Sequence, residues 1–142
     1  MESGYRIDNI ILVDSNFHRV NDVNFGEEVK NNLDIHTNVS VNGNQIIVDE
    51  TVTVSQKYGD DEQVNISVRM VGLFAKIGES PITNLEEFGK VNGAAIIYPF
   101  IREIISNTSI KAGLPAIILP PVNFTSQTQK EEEKNLSNEN SL

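Results

Sequence analysis

Residues 33–54 read LDIHTNVSVNGNQIIVDETVTV. Leu33, Ile35, Val39 and Val41 alternate with Asp34, His36, Asn38 and Ser40, and Thr37 keeps the parity between them. Asn42-Gly43-Asn44 follows, a tight-hairpin signal because Asn and Gly both tolerate positive φ. Beyond it Ile46, Val48, Val52 and Val54 share one parity, while Gln45, Ile47, Asp49, Thr51 and Thr53 share the other. A period of two is that of a strand with one covered and one wet face. The stretch therefore predicts an antiparallel hairpin.

Toward the C-terminus, Tyr58-Gly59-Asp60-Asp61-Glu62 reads as a second turn. Val64, Ile66, Val68 and Met70 then alternate with Asn65, Ser67, Arg69 and Val71 in another strand. Toward the N-terminus an element runs from about Tyr5 to Phe17. Its run Ile10-Ile11-Leu12-Val13 reads as a strand buried partly on both sides. Residues 18–30 (HRVNDVNFGEEVK) have no period and read as loop. Four strands joined by hairpins, an antiparallel meander, is the most economical sheet.

After Pro81 the period becomes helical. Leu85 and Phe88 are spaced i, i+3, with Thr83 or Asn84 as N-cap and Glu86 and Glu87 in the first turn. A long helix is expected over Val91–Ala112, with Pro99 either starting its main segment or kinking it. Gly113 is a natural stop. From Leu114 to Phe124 an apolar segment lies between prolines that keep it from being a central strand. The expected fold is thus α+β: a four-stranded antiparallel sheet with one long, Pro-containing helix packed on it. Residues 1–124 form the domain. Residues 125–142 (TSQTQKEEEKNLSNENSL) read as a disordered polar tail, too poor in apolar groups to offset their ordering entropy.

The 142 residues carry a net charge of -9, so clustered Lys/Arg for a phosphate backbone are absent and nucleic acid is not an expected partner. Cysteine is absent, which excludes disulfides and thiolate chemistry. The start MESGYRIDN has no charged region followed by an apolar run, and apolar runs fall far short of the roughly 20 residues of a membrane span. A soluble, cytoplasmic chain without membrane insertion is expected. Catalysis has little to work with. His18 and His36 have no partner at metal-ligand spacing, and Asp60-Asp61-Glu62 lacks the alternating ligands and central Gly of a calcium loop. Glycines occur singly, so no phosphate cradle is encoded. No cofactor, no metal and no enzymatic activity are expected.

The informative excess is apolar. Ile96, Ile97, Phe100, Ile101, Ile104 and Ile105 occupy more than one helix face, and Leu114–Phe124 adds a further ribbon. Either these fill the core, or part of the helix is an oligomer interface and the ribbon borders an exposed groove.

Two motifs narrow the reading. Tyr98-Pro99-Phe100-Ile101-Arg102-Glu103, followed by Gly113-Leu114-Pro115-Ala116-Ile117-Ile118-Leu119-Pro120-Pro121-Val122-Asn123-Phe124, resembles the SecB export-chaperone family in its aromatic-Pro-aromatic-x-Arg-Glu helix and Pro-Val-Asn-Phe end. Gly72-Leu73-Phe74-Ala75-Lys76-Ile77-Gly78 is similar to that family's turn after the last strand, and Leu33-Asp34-Ile35 to the opening of its second. The resemblance covers roughly residues 5–124.

It implies a homotetramer, a dimer of dimers, acting as an ATP-independent holdase for unfolded or precursor polypeptides in protein export. On this resemblance Leu33, Ile35, Phe74, Ile77, Leu85, Phe88, Leu119 and Phe124 are candidates for a client-binding groove, each with core packing as its other reading. Ile97, Ile101, Ile104 and Ile105 are divided between core and tetramer interface. The sequence also departs from the family. The second apolar helix after Pro-Val-Asn-Phe is missing. Of the acids that dock the translocase motor ATPase, SecA, only Asp14 is matched, with His18 and Ser67 at two other positions. The alternative is therefore a dedicated chaperone of one client, such as an antitoxin of a toxin–antitoxin system, without motor docking.

Overall fold

The computed structural model describes residues 4–78 and 84–125. Four strands, β1 (Tyr5–Arg19), β2 (Val29–Asn42), β3 (Gln45–Tyr58) and β4 (Asp61–Lys76), form one antiparallel sheet. Helix α1 (Leu85–Phe88), a wider π-helical turn (Gly89–Gly93) and α2 (Ala94–Lys111) follow as one continuous helical path. The four-stranded antiparallel sheet and single long helix are those expected. From residue 126 onward the stretch read as a tail lies outside the described residues, as does Thr83.

The strand order is β1-β4-β3-β2. β2, β3 and β4 form the expected meander, but β1 lies beside β4 instead of β2. The segment between β1 and β2 therefore crosses the end of the sheet, anchored where the buried Gln63 amide holds both the N–H and the C=O of Asn24. This segment is shorter than expected, because β1 runs on through Arg19 and β2 begins at Val29. β4 likewise continues through Lys76, so Gly72-Leu73-Phe74 is strand and not turn.

Both hairpins turn on glycine. The central pairs are Gly43-Asn44 and Gly59-Asp60, and only the glycines take positive φ, 60° and 62°. Gly at the first central position is the II′ arrangement, whose twist suits antiparallel strands. The asparagine of Asn42-Gly43 thus ends β2 without entering the turn.

The covered face is built by parity. Val48, Val52 and Val54 of β3 and Val64, Ile66, Val68 and Phe74 of β4 are buried, and Ala94, Ile97, Tyr98, Ile101 and Ile105 of α2 pack on that face. Asn84 caps α1 by accepting from the Glu87 N–H at 3.0 Å. α2 begins at Ala94, so Pro99 does not start it but sits in its interior. The end of α2 is a Schellman motif: the Leu114 N–H reaches Ser109 O, the Gly113 N–H reaches Ile110 O, and Gly113 is left-handed at φ 75°. The Arg19 guanidinium also donates to Ala112 O, tying the end of β1 to the end of the helix.

The glycines that bound the π-helical turn have a packing role. A Cβ on Gly93 would lie 2.8 Å from Val48 Cγ2, and one on Gly89 2.7 Å from Val39 Cγ1. The helical path thus rests directly on β2 and β3. Ala is the better helix former by about 1 kcal/mol, yet Gly93→Ala should lower stability by about 1–3 kcal/mol because it wedges the helix off the sheet. Chemical denaturation of the variant checks the sign.

Candidate binding surface

The helix-bearing layer is covered more fully along the middle of the β2 edge than along the β1 edge, though Val41 at the end of β2 is also 44% exposed. At the β2 edge Ile35 is buried opposite Val52. At the β1 edge the same face carries Ile7, Leu12 and Phe17, which are 46%, 48% and 37% exposed. Their register partners are Phe74, Met70 and Ile66, so they point to the helix side, yet the described residues cover them only in part. Extra residues at Asp8 and Val13 interrupt the β1 register and bend its alternation, leaving Val13 and Ile11 on the surface as well. The run Ile10–Val13 is therefore largely exposed, not buried on both sides. β1 is also an edge strand, with one side unpaired.

Helix α2 repeats this asymmetry. At 100° per residue Tyr98 and Ser109 share one flank. That flank is covered by residues 114–124: the Tyr98 hydroxyl donates to Pro120 O at 2.8 Å, and Ser109 Oγ accepts the Ile117 N–H at 2.9 Å. Leu114, Ile117, Leu119 and Phe124 turn inward while Ile118 points out. The opposite flank carries Ile96, Phe100 and Ile104, all partly or largely exposed. An apolar step thus runs beside the β1 edge, between the partly covered inner face of β1 and the partly covered flank of α2.

The sequence-derived site residues fall into separate places. Phe74 is fully enclosed, with its ring 6.4 Å from Tyr5 and 6.2 Å from Phe88, so it belongs to the core and offers no groove surface. Phe88 is nearly as buried, and Leu85 and Ile77 remain half-exposed near this cluster. Leu33 and Ile35 lie on β2. Leu119 and Phe124 lie along α2, Phe124 edge-on to Tyr98 at 5.6 Å. Ile97, Ile101 and Ile105 have no exposed surface and are core, because their flank faces β3 and β4; only Ile104 of that set reaches the surface. The exposed apolar side chains of β1 were missed. A four-residue apolar run on a strand with only one neighbour was the available signal.

The other face of the sheet is polar toward the end of β1, while Ile11, Val71, Leu73 and Ile47 make it apolar toward the start of β1. Asp14 stands opposite Arg69, whose guanidinium is already held by Asp49 at 2.9 and 2.6 Å. Asn16, Ser67 and Thr53 continue a row of small polar groups across it, with Thr53 and Ser67 hydroxyls 3.2 Å apart. Asp14 is therefore beside a cation and not within a carboxylate patch. His18 lies on this face as well.

One buried group escaped the sequence reading. Glu50 has β3's covered-face parity, is fully buried, and neither carboxyl oxygen has a hydrogen-bond partner. Burial alone pushes its pKa from 4.5 up to about 8. Among the described residues no three His, Asp or Glu side chains gather as a cation site, and no helix is long and apolar enough to cross a membrane.

Comparison with known proteins adds to this geometry. A family model described as preprotein translocase subunit SecB matches residues 5–135, into the stretch read as a tail. An uncharacterized protein of Methanocaldococcus jannaschii is 30% identical over 111 residues, 75% of this chain and 71% of its own length. The protein-export protein SecB of Nitrosomonas europaea is 35% identical over 89 residues, which cover 63% of this chain and 55% of that protein. That of Hahella chejuensis is 35% identical over 97 residues, covering 66% and 58%. The chain thus spans little more than half the length of these export proteins. Among solved structures, the SecB-like chaperone of Mycobacterium tuberculosis, in complex with a peptide from an antitoxin, has a TM-score of 0.73 at 15% identity, with 83% of this chain and 90% of that one covered. At that identity the likeness is one of fold.

Proposed function

The chain belongs to the SecB family, and from that premise we propose that it is an ATP-independent holdase that keeps non-native polypeptides from aggregating and supports their export. The carrying observation is apolar surface left in contact with water, at the β1 edge for assembly and at Leu33, Ile77 and Leu85 for clients. An unpaired strand edge with apolar side chains on both faces calls for a second copy of itself. We assign Ile7, Leu12 and Phe17 of β1 and Phe100 and Ile104 of α2 to assembly, as a dimer of dimers. Clients then take partly exposed side chains in two separate places, Leu33 beside Ile35 on β2, and Ile77 and Leu85 beside Phe88 near the start of β1, with Leu119 and Phe124 along α2.

Holding follows from mass action. A binder of the unfolded ensemble lowers its free concentration, and no bond in the client is made or broken. Each apolar contact contributes little, so affinity rests on several sites engaging one chain. A second reading, a chaperone dedicated to one client such as an antitoxin and acting without the motor ATPase, is favoured by the polar part of the outer face, where Asp14 is offset by Arg69.

Light scattering of a refolding client, with mass measurement of the assembly, tests the proposal. Stoichiometric protein without ATP should suppress aggregation, and the mass should correspond to four chains. The double variant Leu33→Asp, Leu85→Asp should lose at least ~10-fold in client affinity, the equivalent of about 1.4 kcal/mol, while its mass stays unchanged. Suppression confined to one client selects the second reading. No suppression of any client overturns both.

A further inference from the structure

Glu50 sits midway along β3, between Val48 and Val52 on the covered face. Its register neighbours are Thr37 on β2 and Met70 on β4, and Leu12 follows on β1. None of these carries a charge. From above, the titratable group coupled to Glu50 is Tyr98 of α2, whose hydroxyl is committed to Pro120 O and whose ring lies 5.8 Å from the Arg102 guanidinium. Among the described residues no cation compensates the carboxylate.

A charge in this place must reach water. The sheet backbone blocks the route through the outer face, so water arrives only from the helix side. The helical path is weak there: the π-helical turn Gly89–Gly93 widens it, and Pro99, next to Tyr98, lacks an N–H for the preceding turn.

We propose that the Glu50 carboxyl is a proton-operated latch between sheet and α2: protonated, it lets the helix seat on β3 and β4, and ionised, it is satisfied only when α2 lifts and uncovers that apolar face. The latch is a property of the subunit and does not depend on what the protein binds. Its working range follows from the acid's ordinary value of 4.5 when hydrated and about 8 when enclosed. Within that interval each pH unit favours the lifted state about tenfold.

Hydrogen exchange of the full chain from pH 5 to 9, corrected for intrinsic chemical rates, reads this directly. In the wild type, protection of amides 94–111 should fall about tenfold per pH unit up to about pH 8 and then level, ahead of the β3 and β4 amides. In Glu50→Gln the dependence should vanish; Glu50→Met is the second variant should the amide fail to fold. A flat wild-type profile, or an unchanged slope in either variant, overturns the latch. So does identical protection of α2 and the central strands at every pH, which would make the opening global unfolding and not helix lifting.

Discussion

Replacing Glu50 by Leu should raise the unfolding free energy at pH 7 by about 3 kcal/mol, at fixed chain concentration. The wild type holds its proton when folded and releases it when unfolded, because the enclosed carboxyl titrates near 8 and the hydrated one near 4.5. The folded state then binds more protons, so stability falls as pH rises. It is highest below pH 4.5, declines by about 1.4 kcal/mol per unit through the interval, and levels above about pH 8, a total on the order of 5 kcal/mol. Urea denaturation of wild type and variant across this range provides the check. A wild type whose midpoint is constant from pH 5 to 8 would place Glu50 in contact with water or with a cation.

The second large effect lies in α2. Ile101→Ala should cost about 2–5 kcal/mol, the sum of lost transfer energy and the cavity left between helix and sheet. Assembly mass should not change while the subunit remains folded. Leu12→Asp combined with Phe17→Asp should do the reverse, reducing the mass to that of smaller species with less loss of subunit stability than Ile101→Ala, since both side chains are already partly in water. Denaturation midpoints and mass measured on both variants separate the two roles. If Ile101→Ala dispersed the assembly at undiminished subunit stability, α2's buried flank would be an interface after all.

The candidate site was only partly legible before the structure. The many-sided helix and the ribbon Leu114–Phe124 signalled apolar surface in excess of one core, whereas the run Ile10–Val13 was read as buried. Which side chains remained outside was left open for Ile97, Ile101, Ile105 and Phe74, which are inside, and was missed for Ile7, Leu12 and Phe17, which are partly out. Glu50 was visible as a lone acid of apolar parity in β3, yet parity tells which face a residue takes and not whether that face is sealed.

What the chain determined by itself is local in origin. Strand parity in β2, β3 and β4, the Gly43 and Gly59 turns, the Asn84 cap and the Gly113 stop all arise from dihedral preferences and side-chain spacing within a few residues. Tertiary structure decided which strand β1 joins, which flank of α2 is covered, and that Glu50 is shut away from water. Each of those depends on segments distant in sequence meeting in space. Burial at one residue is the sum of what its remote neighbours exclude, and no local period encodes it.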